Sequence, residues 1–452
     1  MTRFHRGVWA TAIVALLATI AALTVYALQG PRLRAASVDV VRAVQFPDSV
    51  LQMESDRPLA PIDASQVTVE PATPVSVDVS GAIVSVVFEQ ALRYETEYRV
   101  IVDGVAGDAR GIGGRFDYSF TTPVADVHYL DRGDPGSPDR VMRVGTGGEP
   151  PEVVYEADAI DVFVTIGSAL MVVTPNESGA SRLDIVEPVG NDFQRLVLPE
   201  DTRIDQLIAP AIGTKVLFTL SSLGESTEYD KTLFVADAAG SARPTPLVGL
   251  DGESLRVTKA AVVPGSTSVV AWIDDVRVVQ IDLDSGLVLP ITEEAAEFWG
   301  VSSDGQNAVL VDLGGTVAIG IDSLDEQRLV PGQIGTRNVF EGQTHLLADG
   351  RRIQTVVLGN QADTEFTSLV ALDDGLGTAK PLYRTPDDLG SIGRFVVSPG
   401  DQYVAIEVTP NRRDARGDGR IHEERAESVT TVIVEIDSGS VVRSVEGFWP
   451  IW

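Results

Sequence analysis

Short apolar segments alternate with turn-forming segments along most of the chain. The stretch from Phe298 to Pro331 carries the cleanest copy: FWGVS, NAVLVD, TVAIGID and EQRLVP are separated by Ser-Ser-Asp-Gly, Leu-Gly-Gly and Asp-Ser-Leu-Asp. Apolar runs this short, bounded by glycine and aspartate, predict strands rather than helices. The unit therefore reads as one four-stranded β-sheet. One such sheet leaves its faces uncovered, whereas stacked copies cover each other.

Seven outer strand pairs of this kind follow Pro123, from RVMRVGTGGEPPEVVY through RVVQIDLDSGLVLPI to TTVIVEIDSGSVVRSV. Their spacing, about 40–55 residues, is that of propeller blades. The first unit has no room for an innermost strand after Pro123. The chain ends in Glu446-Gly-Phe-Trp-Pro-Ile-Trp, which parallels Ala296-Glu-Phe-Trp-Gly-Val-Ser at the start of the reference unit. The expectation is a β-propeller over 124–452, with seven blades favoured over six, in which the C-terminal strand completes the first blade and removes both open edges.

Residues 37–123 predict a separate all-β unit of sandwich size, with alternation in VTVEP, VSVDVS, AIVSVVF, EYRVIVD and FDYSFTT. Tyr98, Val100 and Val102 form the inward face of one strand. The glycines between Gly104 and Gly114 precede a strand, not a helix, so they read as a hairpin loop rather than a phosphate cradle. The run Leu92, Thr96, Tyr98, Val100, Val102, Gly104, Val105, Asp108, Gly111, followed by Phe116, Ser119, Phe120, Thr121 and Thr122, resembles the closing half of a bacterial Ig-like domain of the S-layer type. That resemblance implies a spacer or adhesive module at the cell surface, without catalytic residues. The Ser-x-Asp-Gly and Ser-Pro-Gly-Asp turns resemble those of TolB-like and WD-repeat propellers, although no Trp-Asp signature is present. This second resemblance implies a ring-shaped interaction scaffold and carries over no catalytic residue.

Within residues 1–36, read as tail, anchor and linker, Val8 to Leu28 contains neither charge nor proline. A helix of that length spans about 30 Å, so 8–28 is expected to cross a membrane as an anchor or signal-anchor; cleavage after Ala27 is the alternative. The short tail before it stays inside, which places the bulk of the chain outside the cell membrane. The formal net charge is −30, and the first 34 residues contain only basic charges, so the remainder is more acidic still. Nucleic acid and anionic membrane surfaces require a basic footprint and are excluded as partners of that remainder. The chain has no cysteine, which removes disulfides, thiolate catalysis and Cys-ligated metals.

Chemistry is sparse. The four histidines, His5, His128, His345 and His422, are far apart in sequence, and neither a Gly-x-Ser-x-Gly elbow nor a His-Glu-x-x-His, Walker or Rossmann pattern occurs. The insertion Asn411 to Glu427, between the second and third strands of the last blade, places Asp414, Asp418 and Glu424 around Gly419 in partial imitation of a calcium loop. Arg416 and Arg425 occupy two ligand positions of that pattern, so a solvated loop of alternating charge is the competing reading. A third reading makes Arg412, Arg413, Arg416 and Arg420 a basic surface for a partner. Trp299, Trp449 and Trp452 fall on innermost strands, where they either line the channel for a glycan or peptide or fill wedges between blades. The expected function is a scaffold for an envelope protein or glycan with no cofactor except, as an alternative, calcium. A polysaccharide hydrolase or lyase and a passive wall spacer are the other readings.

Overall fold

The computed structural model describes residues 9, 11–19, 30–107, 113–133, 136–187, 193–210, 212–239, 243–249, 251–359, 366–386, 389–411, 413–420 and 424–452. Most of the apolar segment 8–28 lies outside them. Trp9 and residues 11–19 are helical, and among the described residues no helix is long and apolar enough to cross a membrane. The chain divides into two compact units, Met1–Pro123 and Val124–Trp452.

The first unit packs two antiparallel sheets. Numbered along the chain, the strands are β1 Leu33–Ser37, β2 Ser49–Ser55, β3 Val67–Glu70, β4 Val75–Ser80, β5 Ile83–Phe88, β6 Glu97–Val105 and β7 Gly114–Thr121. Their order is β1-β2-β5-β4 in one sheet and β3-β6-β7 in the other. Strand β2 alternates buried and exposed positions without exception, as a sheet with one covered face requires. Strand β1, LRAAS, falls mostly in the stretch read as linker. It lacks that alternation and is mostly exposed, so its place at a sheet edge depends on backbone pairing with β2. Tyr98, Val100, Val102 and Phe116 are buried in the core. The Tyr98 hydroxyl accepts a 3.0 Å hydrogen bond from the Arg93 backbone N–H, and its ring stacks on Phe120 at 5.7 Å.

The second unit is a ring of seven four-stranded sheets. Blades 2 to 7 are each continuous in sequence. Blade 1 consists of Asp126–Asp131, Asp139–Gly145 and Glu152–Ala157, with the C-terminal strand Phe448–Ile451 innermost. Phe448 pairs with Leu130 and Ile451 with His128. The tail therefore occupies the place expected from its likeness to the start of blade 5.

Six of the seven innermost strands carry a register break, with Asp205, Thr258, Trp299, Gln343, Arg394 and Trp449 among the unpaired residues. Such bulges bend the strand and re-aim a side chain. Several of these inner-strand positions knit adjacent blades together. The Gln206 amide donates to Ala260 O at 3.0 Å and accepts from Ala260 N–H at 3.1 Å, joining blades 3 and 4. Gln343 does the same to Phe395, joining blades 6 and 7. Each glutamine satisfies a backbone donor and acceptor that the curved inner edge leaves open.

Removing Phe448–Trp452 exposes the inner edge of blade 1 and deletes a buried phenylalanine. The truncated protein is expected to melt at least ten degrees lower in a thermal scan, and an unchanged melting curve would contradict closure by the tail.

Candidate functional site

Three residues of the insertion, Asp418, Arg420 and Arg425, reach the seam between blades 7 and 1. Glu407 interrupts the apolar strand YVAIEVT and is only 2% exposed. Its carboxylate accepts from Arg394 Nε at 2.9 Å, from Arg425 Nη1 at 3.2 Å and from the Trp449 backbone N–H at 2.8 Å. The Arg394 guanidinium lies 4.0 Å over the Trp449 ring, and that of Arg425 lies 5.4 Å over Phe448. A buried carboxylate is stable only with such donors around it. Here the donors come from blade 7, its insertion and the closing strand.

A second buried acid lies nearby. Asp139, fully buried in blade 1, accepts at both carboxylate oxygens from Arg420 Nη2, at 2.7 and 2.8 Å, and from the Ile160 N–H at 2.8 Å. Asp418 is ion-paired with Arg132, which itself stacks 4.9 Å over Phe448. The insertion folds back as a small hairpin, with Asp418 N–H bonded to Arg425 O and Glu427 N–H to Arg416 O, both at 2.8 Å.

The described members of the four arginines expected to offer one basic surface therefore separate. Arg420 turns inward onto Asp139, Arg413 and Arg416 are exposed, and Arg412 lies outside the described residues. Among the calcium-loop candidates, Asp418 is taken by Arg132, Asp414 accepts from Asn411 Nδ2 at 2.6 Å, and Glu424 is exposed. Among the described residues no group of three histidine, aspartate or glutamate side chains is arranged to hold a metal. The tryptophans join blades. Trp449 Nε1 donates to Phe163 O in blade 2, and Trp452 Nε1 to Val396 O in blade 7, each at 3.2 Å. Trp452 also stacks on Tyr403, and Trp299 packs against the core between blades 5 and 6.

A cleft of about 1080 Å³ opens at this seam, beside the closing strand. Its three arginines are all engaged: Arg132 with Asp418, Arg420 with Asp139, and Arg140 with Glu156 and Asp131. Asp158, Glu427 and Glu446 line the same cleft, are exposed and make no ion pair among the described residues. The free charge of the cleft is thus negative. Glu407 and Asp139 escaped the sequence reading, although a lone glutamate inside YVAIEVT signals a buried charge that needs partners.

One further cluster joins the turns of blades 5, 6 and 7. Ser303 Oγ lies 2.8 Å from His345 Nε2 and donates to Asp401, whose other oxygen accepts from the Ala348 N–H at 2.8 Å. The single hydroxyl proton is committed to the carboxylate, so His345 is the donor to Ser303 and cannot act as its base. The order is not that of a Ser-His-Asp triad, where the imidazole takes the serine proton. Burial pushes Asp401 up to about 6 and His345 down to about 4. Burial, aided by Arg143, also lowers His128 to about 4, where it pairs with the closing strand.

Two predictions follow from these buried groups. Glu407→Ala strands two guanidinium groups and an N–H, and is expected to cost about 3–5 kcal/mol in urea denaturation; a loss below about 1 kcal/mol would deny Glu407 its role at the seam. Both neutral histidines bind a proton in the unfolded chain near pH 6.5 but only near 4 when folded, so stability falls as pH drops between those values. Asp401 acts oppositely, since its folded form takes up a proton near 6, above its ordinary value of 3.8. His345→Gln, which keeps a donor for Ser303, should lose roughly 2 kcal/mol less than the native protein between pH 7 and 4.5. Identical pH dependence in the two proteins would contradict the assignment.

No family model matches the chain, and no curated protein matches it in sequence. Among solved structures it is similar to an oligogalacturonate lyase in complex with manganese, at 10% identity and a TM-score of 0.47 over 81% of this chain and 98% of that one. It is also similar to the dihydro-heme d1 dehydrogenase NirN, at 14% identity and a TM-score of 0.42 over 73% and 74% of the two chains. TolB from Acinetobacter baumannii matches at 12% identity and a TM-score of 0.38, over 85% and 80%. The solved structures it resembles thus include TolB and other β-propellers, and no residue role is carried over from them.

Proposed function

We propose that this protein is a membrane-anchored, extracytoplasmic binding protein in which an Ig-like sandwich precedes a propeller that holds a cationic partner segment in the seam cleft. The observation that carries the reading is the cleft's charge: every arginine in it is neutralised by the protein itself, and Asp158, Glu427 and Glu446 are left over. Unpaired carboxylates around a concavity favour lysine and arginine side chains of a partner and steer their approach. The Ig-like reading draws support from the strand orders β1-β2-β5-β4 and β3-β6-β7, which are those of an immunoglobulin constant-type sandwich, and from the Tyr98 hydroxyl bond at the start of β6. The anchor rests on the uncharged run 8–28.

The test uses the full-length protein and a decalysine peptide, because the whole chain is acidic and attracts cations everywhere. The variant D158K/E427K/E446K is compared with D251K/E253K/E293K, which removes the same charge at exposed acids elsewhere in the propeller. At equal ionic strength the first is expected to lose at least tenfold more affinity than the second. Equal losses would reduce the binding to net charge and overturn the cleft reading.

A further inference from the structure

The innermost strand of blade 4 carries a cation that has no ion pair among the described residues. Lys259 lies on the innermost strand of blade 4, immediately after a register break. It interacts electrostatically with Arg394 on the innermost strand of blade 7. Blades 4 and 7 are three steps apart in a ring of seven, so both side chains face the channel. The ammonium lies 5.5 Å from the centre of the Trp299 ring, which holds it against the wall of blade 5.

Two buried cations among the described residues are matched to carboxylates. Arg352 pairs with Asp373 at 2.8 Å, and Arg132 with Asp418. Lys259 has neither a hydrogen bond nor an ion pair among the described residues. Glu297 attracts it from beyond ion-pair distance, while Arg394, already held by Glu407, repels it. Burial accordingly holds the ammonium below the usual lysine pKa. A half-buried ammonium that among the described residues meets an aromatic face and no carboxylate is incompletely compensated, and an acceptor on the channel side would compensate it. The indole wall beside it is apolar, so the anion that completes the site has an apolar body.

We propose that the channel binds a small organic acid, its carboxylate on Lys259 and its apolar part against the Trp299 wall. This site is separate from the seam cleft and stands or falls independently of it.

Calorimetry on the full-length protein with benzoate, benzamide and inorganic phosphate tests the assignment. Benzoate is expected to bind, benzamide not to bind, and phosphate to bind at least tenfold more weakly than benzoate. Lys259→Met should weaken benzoate at least tenfold, while Lys259→Arg, which keeps the cation, retains binding; melting curves of both variants establish that they are folded. No heat with benzoate at millimolar concentration, undiminished binding by folded Lys259→Met, or phosphate bound as tightly as benzoate would each overturn the proposal.

Discussion

Blade 1 has only three strands of its own, and four residues, Phe448–Ile451, complete it by pairing with Asp126–Asp131. A four-residue strand brings few backbone hydrogen bonds, so the closure needs support beyond the ladder. Glu407 and Asp139 supply it. Each is a carboxylate withdrawn from water, and each is stable only while arginines and backbone N–H groups surround it. Because those donors come from both sides of the seam, opening the ring would strip two buried charges of their partners at once.

The same constraint explains the insertion Asn411–Glu427. Its charge pattern reads as a solvated loop, a calcium loop or a partner surface. In the folded chain Arg420 and Arg425 face inward as counter-ions for acids of the seam, and Asp418 is neutralised by Arg132. Among its described residues the loop leaves both signs to solvent, Arg413 and Arg416 beside Asp414, Glu424 and Glu427, and the acidic excess of the cleft comes from Glu427 together with Asp158 and Glu446 outside the loop.

Between other blades the joints mix neutral hydrogen bonds with ion pairs such as Arg256 with Asp230 at 2.8 Å and Arg351 with Asp437 at 3.1 Å. Gln206 and Gln343 each pair with a backbone amide of the next inner strand, and Ser303, His345 and Asp401 link three turns. Lys259 stands apart from this economy of matched groups. Like the cleft's three acids, it has no ion pair among the described residues.

The repeat was legible in the sequence because strand-turn punctuation is local. Apolar runs of five or six residues bounded by Gly and Asp announce themselves whatever packs on them, and the likeness of Glu446–Trp452 to Ala296–Ser302 identified the closing strand. Strand β1 was not legible, since an exposed edge strand has no apolar alternation to report. The sites were not legible either. Whether Arg420 meets solvent or Asp139, some 280 positions away, depends on which blades become neighbours, and ring closure alone decides that. The sequence determined the repeating unit through local patterning and favoured seven copies over six. Only the tertiary structure decided which charges cancel, because ion pairing is a matter of distance in space and not of order along the chain.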